Sequence, residues 1–180
     1  VAASQLAGDG FNVVVIEKRL SPGGGIWGGG IGMNEVVIQE EAGELLRDFG
    51  ISRRERREGF YTVDAVELAS GLCLQAIRSG ATLINMMASE DLCLSDGRVT
   101  GVVANRTTVL GHLPVDPIAF SGAAVVDATG HEAALAGFLR DRGLELSGDR
   151  GDYDVEGPMD AAAGERFVSE NVTEVYPGLW

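Results

Sequence analysis

Seven glycines fall within the twelve residues Ser21 to Gly32, SPGGGIWGGGIG, and no other stretch of the chain restricts its fold so tightly. A glycine inside a regular element costs about 0.5–1 kcal/mol, so such a run is expected either outside helices and strands or where backbone must approach a ligand closely. What precedes it narrows the choice. VAASQLAGDGF reads as the end of an Ala-rich helix and a Gly turn, and Asn12 to Glu17 as a β-branched strand ending in an acid. That order is the second half of a dinucleotide-binding βαβ unit, whose first strand carries G-x-G-x-x-G. The expectation is therefore an α/β, FAD/NAD(P)-binding Rossmann-like doubly wound sheet. It would have an antiparallel β insert and lack the first strand and phosphate loop, with residues 1–180 forming a single partial dinucleotide-binding domain. At the other end TEVYPGLW reads as the lead-in to a further strand.

The remaining chain alternates between strand and helix signals. NEVVIQ is a short extended piece; a helix is expected from about Glu40 to Asp48, closed by Gly50. ISRRERREGF reads as a basic, solvated loop, since charge runs more often mark exposed surface than a phosphate site. VDAVELASGLCLQAIRSG is an amphipathic helix ending at Gly80. ATLINM, EDLCLS and RVTGVVAN are short strands, the last two joined by the hairpin signal SDGR. SGAAVVDATG reads as a buried strand running into a Gly turn and HEAALAGFLRDRG as a helix; ELSGDRGDYDVEGPMD is a polar loop, and AAGERFVSENV has helical character.

With 180 residues and 45% hydrophobic content the chain can build a core, and its net charge of −13 repels nucleic-acid phosphates and anionic lipid. Small molecules are the expected partners, with no nucleic acid and no membrane. No apolar run approaches the ~20 residues of a membrane span, which gives a cytoplasmic expectation. Cys73 and Cys93 lie in apolar contexts without metal-ligand spacing and read as reduced, buried structural thiols.

Two sets of residues carry chemistry. Glu17, closing its strand, can accept ribose hydroxyls of an adenosine and repel a 2′-phosphate; a surface ion pair with Lys18 or Arg19 is the plainer alternative. Glycines at Gly23 to Gly25 would let main-chain N–H groups reach a pyrophosphate or ribose. Asp116, in a loop before Pro117, and His131, after the turn of VVDATG, could supply oxygen and nitrogen to Fe(II) or Zn(II); equally, each could cap a turn or a helix. His112 reads as a solvated loop histidine.

The block EKRLSPGGGIWGGGIGMNEVVIQEEA closely resembles the thiazole synthases of thiamin biosynthesis. Further matches follow in order: GVVANRTTV, VDP at Val115 to Pro117, VVDATGH at Val125 to His131, and GERFVSENVTEVYPGLW. The resemblance covers nearly the whole chain. It implies that Glu17 and Lys18 hold the adenosine ribose of NAD and that Gly25 lies at the cofactor. It further implies that Leu92 offers strand backbone beside the adenine, and that Pro114, Val115 and Asp116 touch the other end of the nucleotide. Asp116 and His131 match two iron ligands contributed by neighbouring protomers of a homo-oligomer.

One position departs from the family. Members that sacrifice their own sulfur carry a cysteine two residues before the aspartate, and sulfide-using members commonly carry histidine; here the residue is Pro114. The resemblance thus implies an adenylated thiazole built from NAD, glycine and free sulfide with Fe(II). The glycine-clamping residue is expected beyond Trp180. A flavin-dependent oxidoreductase of the same fold, or a non-catalytic nucleotide-binding remnant, are the alternatives.

Overall fold

The computed structural model describes residues 1–30, 32–108, 116–130, 132–147 and 174–180. They form two compact units, Val1–Ala88 and Ser89–Trp180.

In the first unit, helix α1 (Ala2–Gly8) leads into strand β1 (Val14–Ile16), which is shorter than the Asn12–Glu17 expectation. The glycine-rich segment does not form an irregular loop: Gly24–Gly30 winds into a 3₁₀ helix. Strand β2 (Glu35–Gln39) follows, then a 3₁₀ turn (Glu40–Ala42) and helix α2 (Gly43–Asp48). Gly50 closes α2 at φ +69, as its C-terminal position requires.

The arginine-rich segment corrects the expected solvated loop. It forms β3 (Arg54–Arg57), antiparallel to β4 (Phe60–Asp64), which in turn pairs with β2, giving the order β2-β4-β3. The charges are tolerated because the sheet supplies their partners. Arg53 stacks 3.9 Å over Tyr61 and pairs with Glu40 at 3.3 Å. Arg56 pairs with Glu35 at 2.6 Å and donates to the Thr62 hydroxyl at 3.0 Å, while Arg57 stacks 4.1 Å over Phe60. An exposed edge strand lined with such charges also resists pairing with other chains.

Helix α3 (Ala65–Arg78) begins where Asp64 Oδ1 accepts from the amides of Val66 and Glu67, each at 2.9 Å. Its inner face buries Ala65, Leu68, Ala69 and Ala76. Ala76 joins Ala7 and Ala81 in a cluster of small side chains, so α1 and α3 sit close together. Strand β5 (Thr82–Ile84) then lies parallel to β1, in the register Val14↔Thr82 to Ile16↔Ile84. This β1–α3–β5 arrangement is the parallel core expected of a dinucleotide-binding fold.

The second unit is built on β6 (Met87–Ser95), which straddles the boundary, β7 (Arg98–Arg106) and β8 (Ile118–Ser121), in that order. The expected hairpin turn is present: Asp96 and Gly97 have φ of +51 and +72, as a type I′ turn demands. Helix α4 (Ala134–Asp141) packs Leu135 and Leu139 against Leu92, Val99 and Leu179. SGAAVVDATG is not the buried strand it resembles. Gly122 makes the last ladder bond, to Thr100, after which Val125 bridges only Leu179 among the described residues, and Val126 is 50% exposed. A single bridge leaves alternate side chains uncovered, so the apolar run does not become a strand. Both cysteines are free thiols and half-buried rather than buried. Among the described residues no helix is long and apolar enough to cross a membrane. Residues 148–160 of the expected polar loop and the helical expectation over 162–172 lie outside the described residues.

Candidate functional site

Glu17 stands at the carboxyl end of β1, the edge where parallel α/β sheets place ligands. Its backbone extends the β1/β5 ladder: the amide donates to Ile84 O at 2.9 Å, and the carbonyl accepts from Met87 N at 3.0 Å. The side chain is held as well, since Glu17 Oε1 accepts from Arg19 N at 2.7 Å. The loop that follows is tied down by Met86 N donating to Arg19 O and by Asn85 Nδ2 donating to Leu20 O at 2.8 Å. Lys18 is exposed within this loop.

The glycine-rich segment turns back over the same region. An open pocket of ≈ 510 Å³ is lined by Arg19, Leu20, Ser21, Gly24 and Trp27, so the loop after Glu17 and the glycine turn share one concavity. Two side chains anchor the turn. Ile26 packs into the cluster of Leu46, Ile51, Val63 and Leu68, and Trp27 Nε1 donates to Pro22 O at 2.6 Å.

The glycines differ in what requires them. Gly23 has φ +118, and a Cβ there would meet Trp27 Nε1 at 3.0 Å and Ala69 Cβ at 3.3 Å. A Cβ on Gly25 would meet nothing within 4 Å. The fold therefore needs glycine at 23, and among the described residues nothing requires it at 25.

Cys73, on α3 of this unit, has its thiol pushed up by burial and, secondarily, by the Glu17 carboxylate. Farther along, the Tyr61 hydroxyl donates to Glu40; this bond holds the Glu40 carboxyl below its ordinary range and raises the tyrosine. A second pocket, ≈ 150 Å³, is lined by Glu35, Arg54, Thr62, Asp64 and Glu67 among others. Glu35, Asp64 and Glu67 there already serve Arg56, the start of α3 and Ser52 N.

The second unit carries Leu92 and Asp116. Leu92 is buried on β6; its amide donates to Asp91 Oδ1 at 2.8 Å and its carbonyl accepts from Arg142 Nη1 at 3.4 Å. Asp116 is exposed just before β8 and makes no hydrogen bond or ion pair among the described residues. Pro114, Val115, His112 and His131 lie outside the described residues. Among the described residues no group of three or more His, Cys, Asp or Glu is placed to hold a metal ion. The structure thus places Glu17, Lys18 and Gly25 in one unit and Leu92 and Asp116 in the other.

Sequence reading gave no role to three groups that shape these regions: the Arg19 amide that fixes Glu17, the Trp27 indole that braces the turn, and Asp127, which joins the turn after it to α4. Only the last had a local signal, the D-x-T spacing of an Asx-type turn.

A parallel strand pair connected through a helix, with an acid closing its first strand and a glycine-rich turn after it, places the chain in the Rossmann-like α/β class of folds. L-proline dehydrogenase from Pyrococcus horikoshii shares this fold alone, at 15% identity and a TM-score of 0.55 over 77% of this chain and 52% of that one. The chain belongs to the Thi4 family, whose model matches residues 1–180. It is 46% identical to the thiamine thiazole synthase of Pyrococcus horikoshii, over 100% of this chain and 70% of that protein. It also superposes on the crystal structure of THI4 from Thermovibrio ammonificans with a TM-score of 0.88, at 40% identity, covering 99% of this chain and 69% of that one.

Proposed function

We propose that this chain is a thiamine thiazole synthase that makes the adenylated thiazole precursor of thiamin from NAD, glycine and free sulfide, with Fe(II) held by Asp116 and His131. The observation that carries the reading is the pre-set Glu17 carboxylate at the end of β1, followed by a glycine turn whose Gly25 has no structural need to be glycine. Glu17 accepts a ribose hydroxyl, Lys18 adds a positive charge beside it, and Gly25 leaves room for the nucleotide against bare backbone. Leu92 backbone borders the adenine, and Pro114, Val115 and Asp116 border the far end of the nucleotide.

The donor set suits the metal. Asp116 is an exposed carboxylate with no other commitment among the described residues, and carboxylate plus imidazole is a pairing that Fe(II) accepts. Bound there, Fe(II) would supply Lewis acidity and a template for sulfide. In this reading Asp116 and His131 meet from neighbouring protomers of a homo-oligomer, and their part is to hold the site open on the substrate side.

External sulfide is favoured by what the chain lacks. Proline occupies position 114, and Cys73 is half-buried on α3 with its thiol held protonated, a poor sulfur donor. Anaerobic incubation with NAD, glycine, sulfide and Fe(II), followed by mass spectrometry, tests the proposal. Product should require added sulfide, and His131→Ala should lose iron and product while still binding NAD. Undiminished iron in that variant would refute the metal assignment; product without sulfide would refute the sulfur source.

A further inference from the structure

Arg19 is fixed by its backbone and left free at its side chain. Its amide donates to Glu17 Oε1 at 2.7 Å and its carbonyl accepts from Met86 N at 3.2 Å, while the next carbonyl, Leu20 O, accepts from Asn85 Nδ2 at 2.8 Å. The guanidinium makes no hydrogen bond or ion pair among the described residues, and this includes the acid beside it. The surface ion pair that the sequence offers as the plainer role for Glu17 is not formed with Arg19; the carboxylate takes a main-chain amide instead.

The Arg19 side chain lines the open pocket of ≈ 510 Å³ together with Leu20, Ser21, Gly24 and Trp27. None of those residues is acidic, in a chain whose net charge is −13, so the pocket reverses the overall sign locally. Trp27 gives it a steady wall, because the bond from Nε1 to Pro22 O at 2.6 Å fixes the indole without burying it. Gly24 leaves the backbone bare, since a Cβ there would meet nothing within 4 Å.

A fixed carboxylate and an unpaired guanidinium two residues apart suit a ligand with hydroxyls at one end and an anion at the other. A ribose carrying a 5′-phosphate has that form: the hydroxyls donate to the acid, and phosphate oxygens match the planar fork of arginine. Had Arg19 paired with Glu17, each charge would have cancelled the other and neither would be available. We propose that Arg19 is the anion anchor of this site, its guanidinium binding the diphosphate of the nucleotide whose ribose Glu17 accepts, in the pocket walled by Trp27. The inference rests on the nucleotide reading made above.

The test is calorimetric titration of the full chain with ADP-ribose, with its 2′-phosphorylated form and with adenosine. Arg19→Gln should weaken ADP-ribose on the order of 10-fold, as expected for a lost hydrogen bond between charged groups. Adenosine affinity and the melting temperature should stay unchanged, because no described residue uses the guanidinium. Arg19→Lys, which keeps the charge but not the fork, should fall between the two. In a Trp180→Phe background Trp27 is the remaining tryptophan, and its emission should change when ADP-ribose is added. Wild-type ADP-ribose affinity in Arg19→Gln overturns the proposal. So does an equal loss of adenosine, which would put the side chain at the nucleoside, or a loss confined to the 2′-phosphorylated ligand, which would assign Arg19 to that phosphate. Unchanged Trp27 emission with ADP-ribose bound places the ligand outside this pocket and overturns it as well. A wild-type chain that binds none of the three ligands removes the nucleotide reading itself, and the anchor with it.

Discussion

Gly23 and Gly25 sit two residues apart in one turn, yet alanine at the two positions should fail in opposite ways. At Gly23 the backbone is at φ +118, where an L side chain is strained by about 1–3 kcal/mol. The new methyl would also press on the indole nitrogen of Trp27 at 3.0 Å, threatening its bond to Pro22 O, worth about 1 kcal/mol. Gly23→Ala should therefore lose about 2–4 kcal/mol of stability. Gly25→Ala meets nothing within 4 Å, so removing glycine's freedom in the unfolded chain should leave stability unchanged or raise it by about 0.4–1 kcal/mol. If NAD lies against that backbone, however, the methyl intrudes on the ligand. Overpacking of this kind costs about 1–3 kcal/mol, or roughly 5- to 150-fold in affinity. Thermal melting reads the first effect and calorimetric titration with NAD the second. A Gly25→Ala protein that melts like wild type and binds NAD equally well would refute the placement of the nucleotide on this turn.

Two further outcomes follow from the same structure. In a Cys93→Ala background, the pH midpoint for alkylation of Cys73 should lie above the ordinary thiol range, since burial and then Glu17 raise it, and Glu17→Gln should move it down; an unmoved midpoint would place the carboxylate elsewhere. Because the folded thiol titrates higher than the unfolded one, its contribution to stability is complete below the unfolded pKa and lost as pH rises through the folded value. Gly101→Ala puts a Cβ 2.2 Å from Phe120 O across the β7/β8 pair and should cost about 1–3 kcal/mol or more. Gly137→Ala, inside α4 with nothing within 4 Å, should instead gain about 0.5–1 kcal/mol, and paired melting curves that fail to separate the two would contradict this packing.

The sequence disclosed elements wherever a local rule sufficed. Asp96–Gly97 announced a type I′ turn because both central residues need positive φ, and the amphipathic run from Ala65 to Arg78 could only be a helix. Patterns failed where tertiary partners decided the outcome. Four arginines look like a solvated loop until Glu40, Tyr61, Glu35 and Phe60 are brought alongside by sheet pairing. VVDATG looks like a buried strand, but among the described residues the only bridge available to Val125 is Leu179, more than fifty residues away. At the site, Glu17 was legible from its place at the end of a β-branched run. The contact that aims it was not, because a main-chain amide is the same in every residue and leaves no trace in the sequence.

That contact changes how Glu17 can act on a nucleotide. A free glutamate gives up about 1.5–2 kcal/mol of rotamer entropy when a ligand immobilises it. Here the bond from Arg19 N to Oε1 has already fixed the side chain on folding, and Met86 and Asn85 fix the loop that presents the amide. Ligand binding therefore does not bear that cost again, which is how preorganisation adds affinity without adding contacts. With Oε1 holding the Arg19 amide, Oε2 and the second lone pair of Oε1 would be available to a ribose hydroxyl. A 2′-phosphate would instead face a carboxylate that cannot swing aside without breaking the Arg19 bond, so repulsion and loss of the preset geometry both work against it. If the nucleotide is NAD, as proposed, selectivity over its 2′-phosphorylated form would trace to a three-residue loop whose own backbone holds the recognising group in place.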